Sequence, residues 1–439
     1  MTKKTSLLLW MAAAIMAMSA RTAMGVDVAV MAGASPREHC PVTLTLSPDE
    51  FWYTLSQGSW KLVRESEEIP VMAVKRDIPK YAYRLSPAGG GIAAIDRNYW
   101  ELLFVVDGLK PFEKRIYSLQ PGEAASADAV KIERKDGSLK IDIGGKPFTD
   151  YLFATNEKQP RPIFYPLFGP NGARMTRGFP MEPFEGENKD HPHHHSLWVS
   201  HGDVNGVDFW MLSEKQGYQR HIEFNELQCG PAAGRIEELI AWTSSDNVKV
   251  MEERRCITIW GLPESGRAID FDLTFAATEG DVKFGDTKEG GLISLRVSEI
   301  MRVDSKKGGV IVNANGDESH YDAASGKAAD RAWGKAAPWC DYSGPVNGET
   351  AGLTIMDYPE NPFYPTYYHV RTYGLFTANP FGLSHFISKI HDGSRTLRAG
   401  ETWRCRYRVY IHQGDMESGK VKEAYANYAD GPQAILIKG

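Results

Sequence analysis

The densest chemistry in the chain lies between Arg161 and Trp210. Asp190-His191-Pro192-His193-His194-His195-Ser196-Leu197-Trp198 is followed closely by His201-Gly202-Asp203, so five of the chain's 12 histidines fall within eleven residues. Imidazoles crowded beside Asp190, Asp203 and Asp208 have two physical uses. Neutral ring nitrogens joined by a carboxylate can hold a divalent metal, or a single His can exchange protons near neutral pH. Pro192 favours an extended entry into the histidine run. If His193 to Ser196 runs as a strand, His193 and His195 face one side and His194 the other, so three consecutive rings cannot converge on one ion without a turn. The pattern therefore leaves His194 and His201 as candidate acid/base groups, and His193 with His195 as candidate ligands of a divalent metal; without such a metal no cofactor is expected. Histidines packed in a core against backbone partners are the competing account.

A second cluster is Phe284-Gly285-Asp286-Thr287-Lys288-Glu289-Gly290-Gly291. Small residues at both ends let a loop bring Asp286, Lys288 and Glu289 together, two carboxylates with a cation between them. A solvated turn would have the same composition. The third group is Asp341 and Tyr342 after Trp339, His369-Val370-Arg371, and Asn379-Pro380-Phe381-Gly382. Strand alternation puts His369 and Arg371 on one face. With Trp198, these rings and polar side chains suit a pyranose, whose apolar face stacks on aromatics while its hydroxyls take Asp341, Tyr342, Arg371, Asn379 and Lys288. Core aromatics with surface ion pairs are the alternative.

Strands make up most of the scaffold expected around these residues. Runs such as Val42 to Leu46, Val71 to Lys75, Leu102 to Val106 and Lys114 to Leu119 alternate or are β-branched, and Gly, Pro, Asn and Asp separate them. Val130 to Arg134 and Leu139 to Ile143 flank Asp136-Gly137 as a hairpin. Strands resume at Glu223 to Leu227, Glu237 to Ser244, Val248 to Trp260, Arg267 to Ala276, Leu292 to Val303, Gly309 to Val312, Gly352 to Asp357, Leu383 to Ile390 and Thr402 to Tyr410. Only Lys420 to Tyr428 carries a helical period. The expected fold is mainly β: a large antiparallel β-sandwich, supersandwich or jelly-roll-like, with few helices. The division expected is a signal peptide at 1–25, an N-terminal β region at 26–148, and a main sandwich at 149–439 with a C-terminal helix near 416–430.

Composition narrows the function classes. At 42% hydrophobic, 24% charged and net charge −6, the chain offers no basic footprint for nucleic acid. Lys3 and Lys4, an apolar run from Ser6 to Ala20 and Ala23-Met24-Gly25 read as a secretory leader cleaved after Gly25, hence a periplasmic or secreted protein. No later run is long and apolar enough to span a bilayer. The five cysteines contain no C-x-x-C pair, which excludes a cysteine zinc knuckle. A Cys229–Cys256 bridge and buried free thiols both remain open.

The stretches Tyr165-Pro166-Leu167-Phe168-Gly169-Pro170, Asp190 to Trp198, Gly202 to Trp210, Phe284 to Gly291, Trp339 to Pro345 and Tyr373 to Gly382 resemble the exported bacterial family catalogued as PmoA-like, or methane oxygenase PmoA. The resemblance covers roughly residues 155 to 415. Where that family reads His-His-Arg-Ser, this chain has His193-His194-His195-Ser196, an imidazole in place of a permanent cation at 195. A membrane methane oxygenase subunit needs several apolar spans, which the chain beyond its leader lacks. The resemblance instead implies an exported protein met beside sugar-degrading genes, and it supplies no established catalytic residue.

These readings combine into an exported carbohydrate-active enzyme, a lyase, hydrolase or epimerase, acting on a small-molecule or oligosaccharide ligand. His194, His201, Asp286, Glu289 and His369 are its candidate acid/base residues. A metal-dependent enzyme and a noncatalytic glycan-binding protein are the two rivals.

Overall fold

The computed structural model describes residues 26–46, 59–76, 99–126, 128–263 and 266–437; the expected leader lies outside them. Two large antiparallel sheets face each other. One has nine strands, in spatial order Lys335–Ala336, Tyr367–Val370, Leu375–Ala378, Gly290–Arg296, Leu197–His201, Ile163–Leu167, Lys146–Leu152, Ser138–Ile143 and Val130–Lys135. The other has ten, running from Tyr218–Cys229 through Ala233–Thr243, Lys249–Trp260, Gly266–Ala276, Thr402–Gln413, Glu349–Asp357, Trp339–Val346, Val310–Asn313 and Glu318–Asp322 to Lys327–Ala328. One apolar core, including Phe164, Leu197, Leu295, Phe376, Ile257, Phe271, Leu353 and Val409, fills the space between them. The chain is thus a mainly β protein built on a large antiparallel sandwich.

A seven-stranded sheet holds the N-terminal part, and its core includes Val28, Leu62, Phe104 and Tyr117. It packs on the ten-stranded sheet where Met72, Val74 and Leu103 meet Ala233, Trp260 and Leu262. The sheets divide the chain earlier than position 148. Leu139 pairs with Tyr151, which carries the 130–143 hairpin into the nine-stranded sheet. The last strand, Gln433–Ile437, returns to pair with Val26–Met31. The hairpin's strong local pattern resembles the end of a unit, but its long-range register makes it an edge of the next one.

One strand expectation changes, and the alternative left open for the cysteines closes on free thiols. Leu383 to Ile390 is not a strand; Leu383–Phe386 is a short helix whose Ser384 amide donates to the Asp286 carboxylate. All five cysteines are free thiols, with Cys229 exposed and the other four buried; Cys256 lies opposite Glu237 and Cys229 opposite Gly234, so the two sulfurs do not face each other. The helix runs Val421–Ala429 and sets Val421, Ala424, Tyr425 and Tyr428 against Trp339 and Met356. No helix among the described residues is long and apolar enough to cross a membrane.

Candidate functional site

Register places the site on the outer face of the nine-stranded sheet. Ile163, Trp198, Ser294, Thr377 and His369 lie opposite one another across five neighbouring strands. Opposed residues share a face. The next row, Phe164, Leu197, Leu295, Phe376 and Val370, belongs to the sandwich core, so the His369 row points away from it.

The histidine segment is a turn rather than a strand. His191 and Ser196 adopt positive φ (44° and 57°), and the His194 amide donates to the His191 carbonyl at 3.0 Å. This turn brings the rings of His193 and His194 to 4.4 Å, where strict alternation would have separated them. His191 lies between His194 (4.8 Å, 7°) and Tyr373 (5.1 Å, 5°) as a stack. Trp198 and Trp210 pack beneath, 5.6 and 5.7 Å from His194. His195 is buried near Arg161 and the Lys158 backbone. His193 and His195 therefore do not form the expected metal pair, and among the described residues no three His, Cys, Asp or Glu side chains converge as a metal site.

The Lys288-Glu289 loop reaches this cluster because several side chains hold its backbone. The Asp286 carboxylate accepts from the Ser384 amide (2.9 Å), the Ser384 hydroxyl (2.8 Å) and the Gly393 amide (2.7 Å). Asn379 Nδ2 donates to the Thr287 carbonyl at 2.9 Å, and Thr377 Oγ1 donates to the Gly290 carbonyl at 2.9 Å. Glycine is required at 291, where a Cβ would stand 1.5 Å from Thr377 Oγ1. Beyond this frame, Lys288 Nζ meets Glu289 Oε1 at 2.6 Å, with side chains 39% and 37% exposed.

Hydrogen bonding fixes two tautomers. His369 Nδ1 lies 2.7 Å from the Lys288 carbonyl. A carbonyl can only accept, so Nδ1 carries the proton and Nε2 keeps its lone pair. For His194 the order is reversed: Arg296 Nη1 donates to Nδ1 at 3.2 Å, so Nε2 carries hydrogen. Both Nε2 atoms, and that of His193, are buried without a hydrogen-bond partner.

Charge follows from burial. Desolvation pulls His369 down to about 4, against the opposing influence of the Lys288 carbonyl and Glu289. Desolvation, helped by Arg161, takes His193 to about 3, and it takes His194 well below the ordinary imidazole value. Burial raises Glu289, but the Lys288 hydrogen bond and charge, with His369 and His193, outweigh it and hold the carboxyl low. Neutral imidazoles thus flank an ionised carboxylate.

Arginines surround the ring stack. Arg177 Nη1 and Arg296 Nη2 reach Asp190 Oδ1 at 2.6 and 2.7 Å. Arg161 spends its two Nη groups on Ser200 Oγ and on the Phe209, His193 and Trp210 carbonyls, and its Nε is buried without a partner. Arg371 lies over Tyr373 and Trp333, 5.6 and 5.7 Å from the ring centres, and 3.8 Å from Asp330.

The structure brings together His193, His194, Lys288, Glu289, His369 and Arg371, with Trp198 beneath them. It does not bring in the others. His201 is sealed inside, with Nε2 at 2.9 Å from the Gly285 carbonyl. Asp286 and Asn379 are fully engaged in shaping the loop. Asp341 lies in the ten-stranded sheet, bonded to His412 Nε2 (2.8 Å) and Thr354 Oγ1 (2.7 Å). Tyr342 is buried in the core, its hydroxyl bonded to the Val303 amide and the Thr372 carbonyl. Arg296, Arg177, His191, Tyr373 and Trp333 join the site although the sequence pattern does not single them out. Of these only Tyr373 and His191 sit in segments dense enough to signal it.

Among solved structures, the chain is similar to a glycosyl hydrolase family 38 protein from Enterococcus faecalis at 10% identity and TM-score 0.37, covering 95% of this chain and 48% of that one. An alpha-mannosidase from Enterococcus faecalis V583 gives 10% and 0.38, with 95% and 46% covered. An alpha-galactosidase from Lactobacillus brevis gives 10% and 0.34, with 70% and 43% covered. The chain spans just under half the length of each. No curated protein matches it. One family model matches residues 138–426, about two thirds of the chain and all of the site, and the chain belongs to that family, the family of unknown function DUF6807.

Proposed function

We propose that the protein is an exported carbohydrate-active enzyme whose acid/base centre is His193, Glu289 and His369. The observation that carries this reading is the pairing of an unpartnered His369 Nε2 lone pair with an ionised, part-exposed Glu289. A neutral imidazole and a carboxylate beside it can remove a proton from carbon or oxygen, and Lys288 and the His194 Nε2 hydrogen can stabilise the negative charge that develops. Trp333, Tyr373 and Arg371 form the wall along which a sugar ring would lie.

The carboxylates favour a lyase or epimerase over a hydrolase. Glycoside hydrolysis ordinarily uses two carboxyl groups flanking the bond. Here Asp286 is tied by three hydrogen bonds and Asp190 by two arginines, which leaves Glu289, among the described residues, as the carboxylate placed beside His369.

The test is incubation of the mature protein with glycosides, keto-glycosides and uronides, followed by NMR, with Glu289→Gln alongside. The reading expects a new product that the variant forms at least about a hundredfold more slowly. Equal rates would remove Glu289 from the chemistry. Sugars that bind but stay unchanged would make this a binding protein.

A further inference from the structure

We infer that the ligand of this site carries an oxyanion: the sugar is a uronate or a sulfate ester rather than a neutral sugar. This rests on the sugar reading above and adds the charge of the substrate.

Two observations carry it. The first is the surplus of unused donors. Trp198 Nε1, Trp210 Nε1, Arg296 Nε and, by its tautomer, His194 Nε2 are all buried without a hydrogen-bond partner. Their rings pack together: Trp198 and Trp210 lie 5.3 Å apart and both touch His194. Buried donors are ordinarily matched by acceptors, and a group of oxygens with no hydrogens of its own answers four donors best.

The second is charge. At the rim, Lys288 pairs with Glu289 and Arg371 with Asp330, so those charges cancel. Beneath the stack, Arg161, Arg177 and Arg296 are all fully buried, yet among the described residues Asp190 is the only carboxylate hydrogen-bonded to any of them. Arg177 and Arg296 share Asp190, while Arg161 has no carboxylate hydrogen bond and only the field of Asp208; a ligand oxyanion would offset part of this burial of cations.

Isothermal titration with methyl glucuronide, methyl galacturonide and a glucose sulfate, against the matching neutral methyl glycosides, tests this at low and high NaCl. The expected result is binding of an acidic sugar at least about tenfold tighter than its neutral partner, with the preference shrinking as salt rises. The uronate and sulfate arms show which oxyanion fits. Neutral sugars binding as tightly would overturn the oxyanion and leave the acid/base reading standing. If no sugar of either kind binds or reacts, both fall.

Discussion

Arg177 and Arg296 hold the same oxygen, Asp190 Oδ1, at 2.6 and 2.7 Å, and both guanidiniums are fully buried. Burial, opposed by Asp190, pulls Arg296 down to about 10. Asp190→Asn would leave two adjacent buried cations without the carboxylate they share, at a cost of about 3 kcal/mol. Chemical denaturation should show that loss, and a midpoint equal to wild type would sink the account. Its pH dependence has a definite sign. Asp190 is held below its ordinary 3.8, so its stabilisation is complete above that value and fades as pH falls through the lower folded one.

His369 gives a kinetic prediction. A base works only while unprotonated, and burial takes this imidazole down to about 4. Measured per folded molecule, the acid limb of kcat/KM should therefore fall near pH 4 instead of near the usual imidazole value. His369→Asn keeps a donor for the Lys288 carbonyl and loses the lone pair, so turnover should drop by roughly 10²-fold or more with little change in Tm. A variant with full activity would assign the proton transfer elsewhere.

Much of the architecture is legible in the sequence because many strands bury one face only. Ser138–Ile143 alternates buried and half-buried positions residue by residue, and that period is visible in its side chains. Gly290–Arg296 is buried along its whole length, so periodicity cannot tell which of its residues face the site, and nothing marks Arg296 out. The turn at His191 and Ser196 is hidden for another reason. Neither residue is glycine, and nothing local announces a positive φ at either. Asp286 looks catalytic because its charged neighbours are; its partners, Ser384 and Gly393, lie about a hundred residues away.

The buried histidines make the whole fold sensitive to acid. Desolvation lowers His193 to about 3 and both His201 and His369 to about 4, and it lowers His194 and His195 well below the ordinary 6.5. The unfolded chain takes up protons near 6.5 and the folded chain does not, so stability is complete above 6.5 and declines as pH falls towards 4. Each such residue contributes on the order of 1 kcal/mol per pH unit in that window. Tm should fall steeply between pH 7 and 5, and a flat profile would mean that these rings are hydrated or charged.

Asp341 separates structural from functional carboxylates. Its Oδ1 accepts from Thr354 Oγ1 and lies 2.8 Å from His412 Nε2, inside the ten-stranded sheet. The His412 ring is walled by glycines: a Cβ at Gly419 would stand 2.0 Å from Nδ1 and one at Gly352 2.3 Å from Cε1. The ring has no room to turn towards another partner. Asp341→Ala should therefore strand both His412 and Thr354, at about 2–4 kcal/mol, while the folded fraction keeps its kcat/KM. Thermal melts paired with turnover per folded molecule distinguish the roles. A loss of turnover without a loss of Tm would return Asp341 to the site.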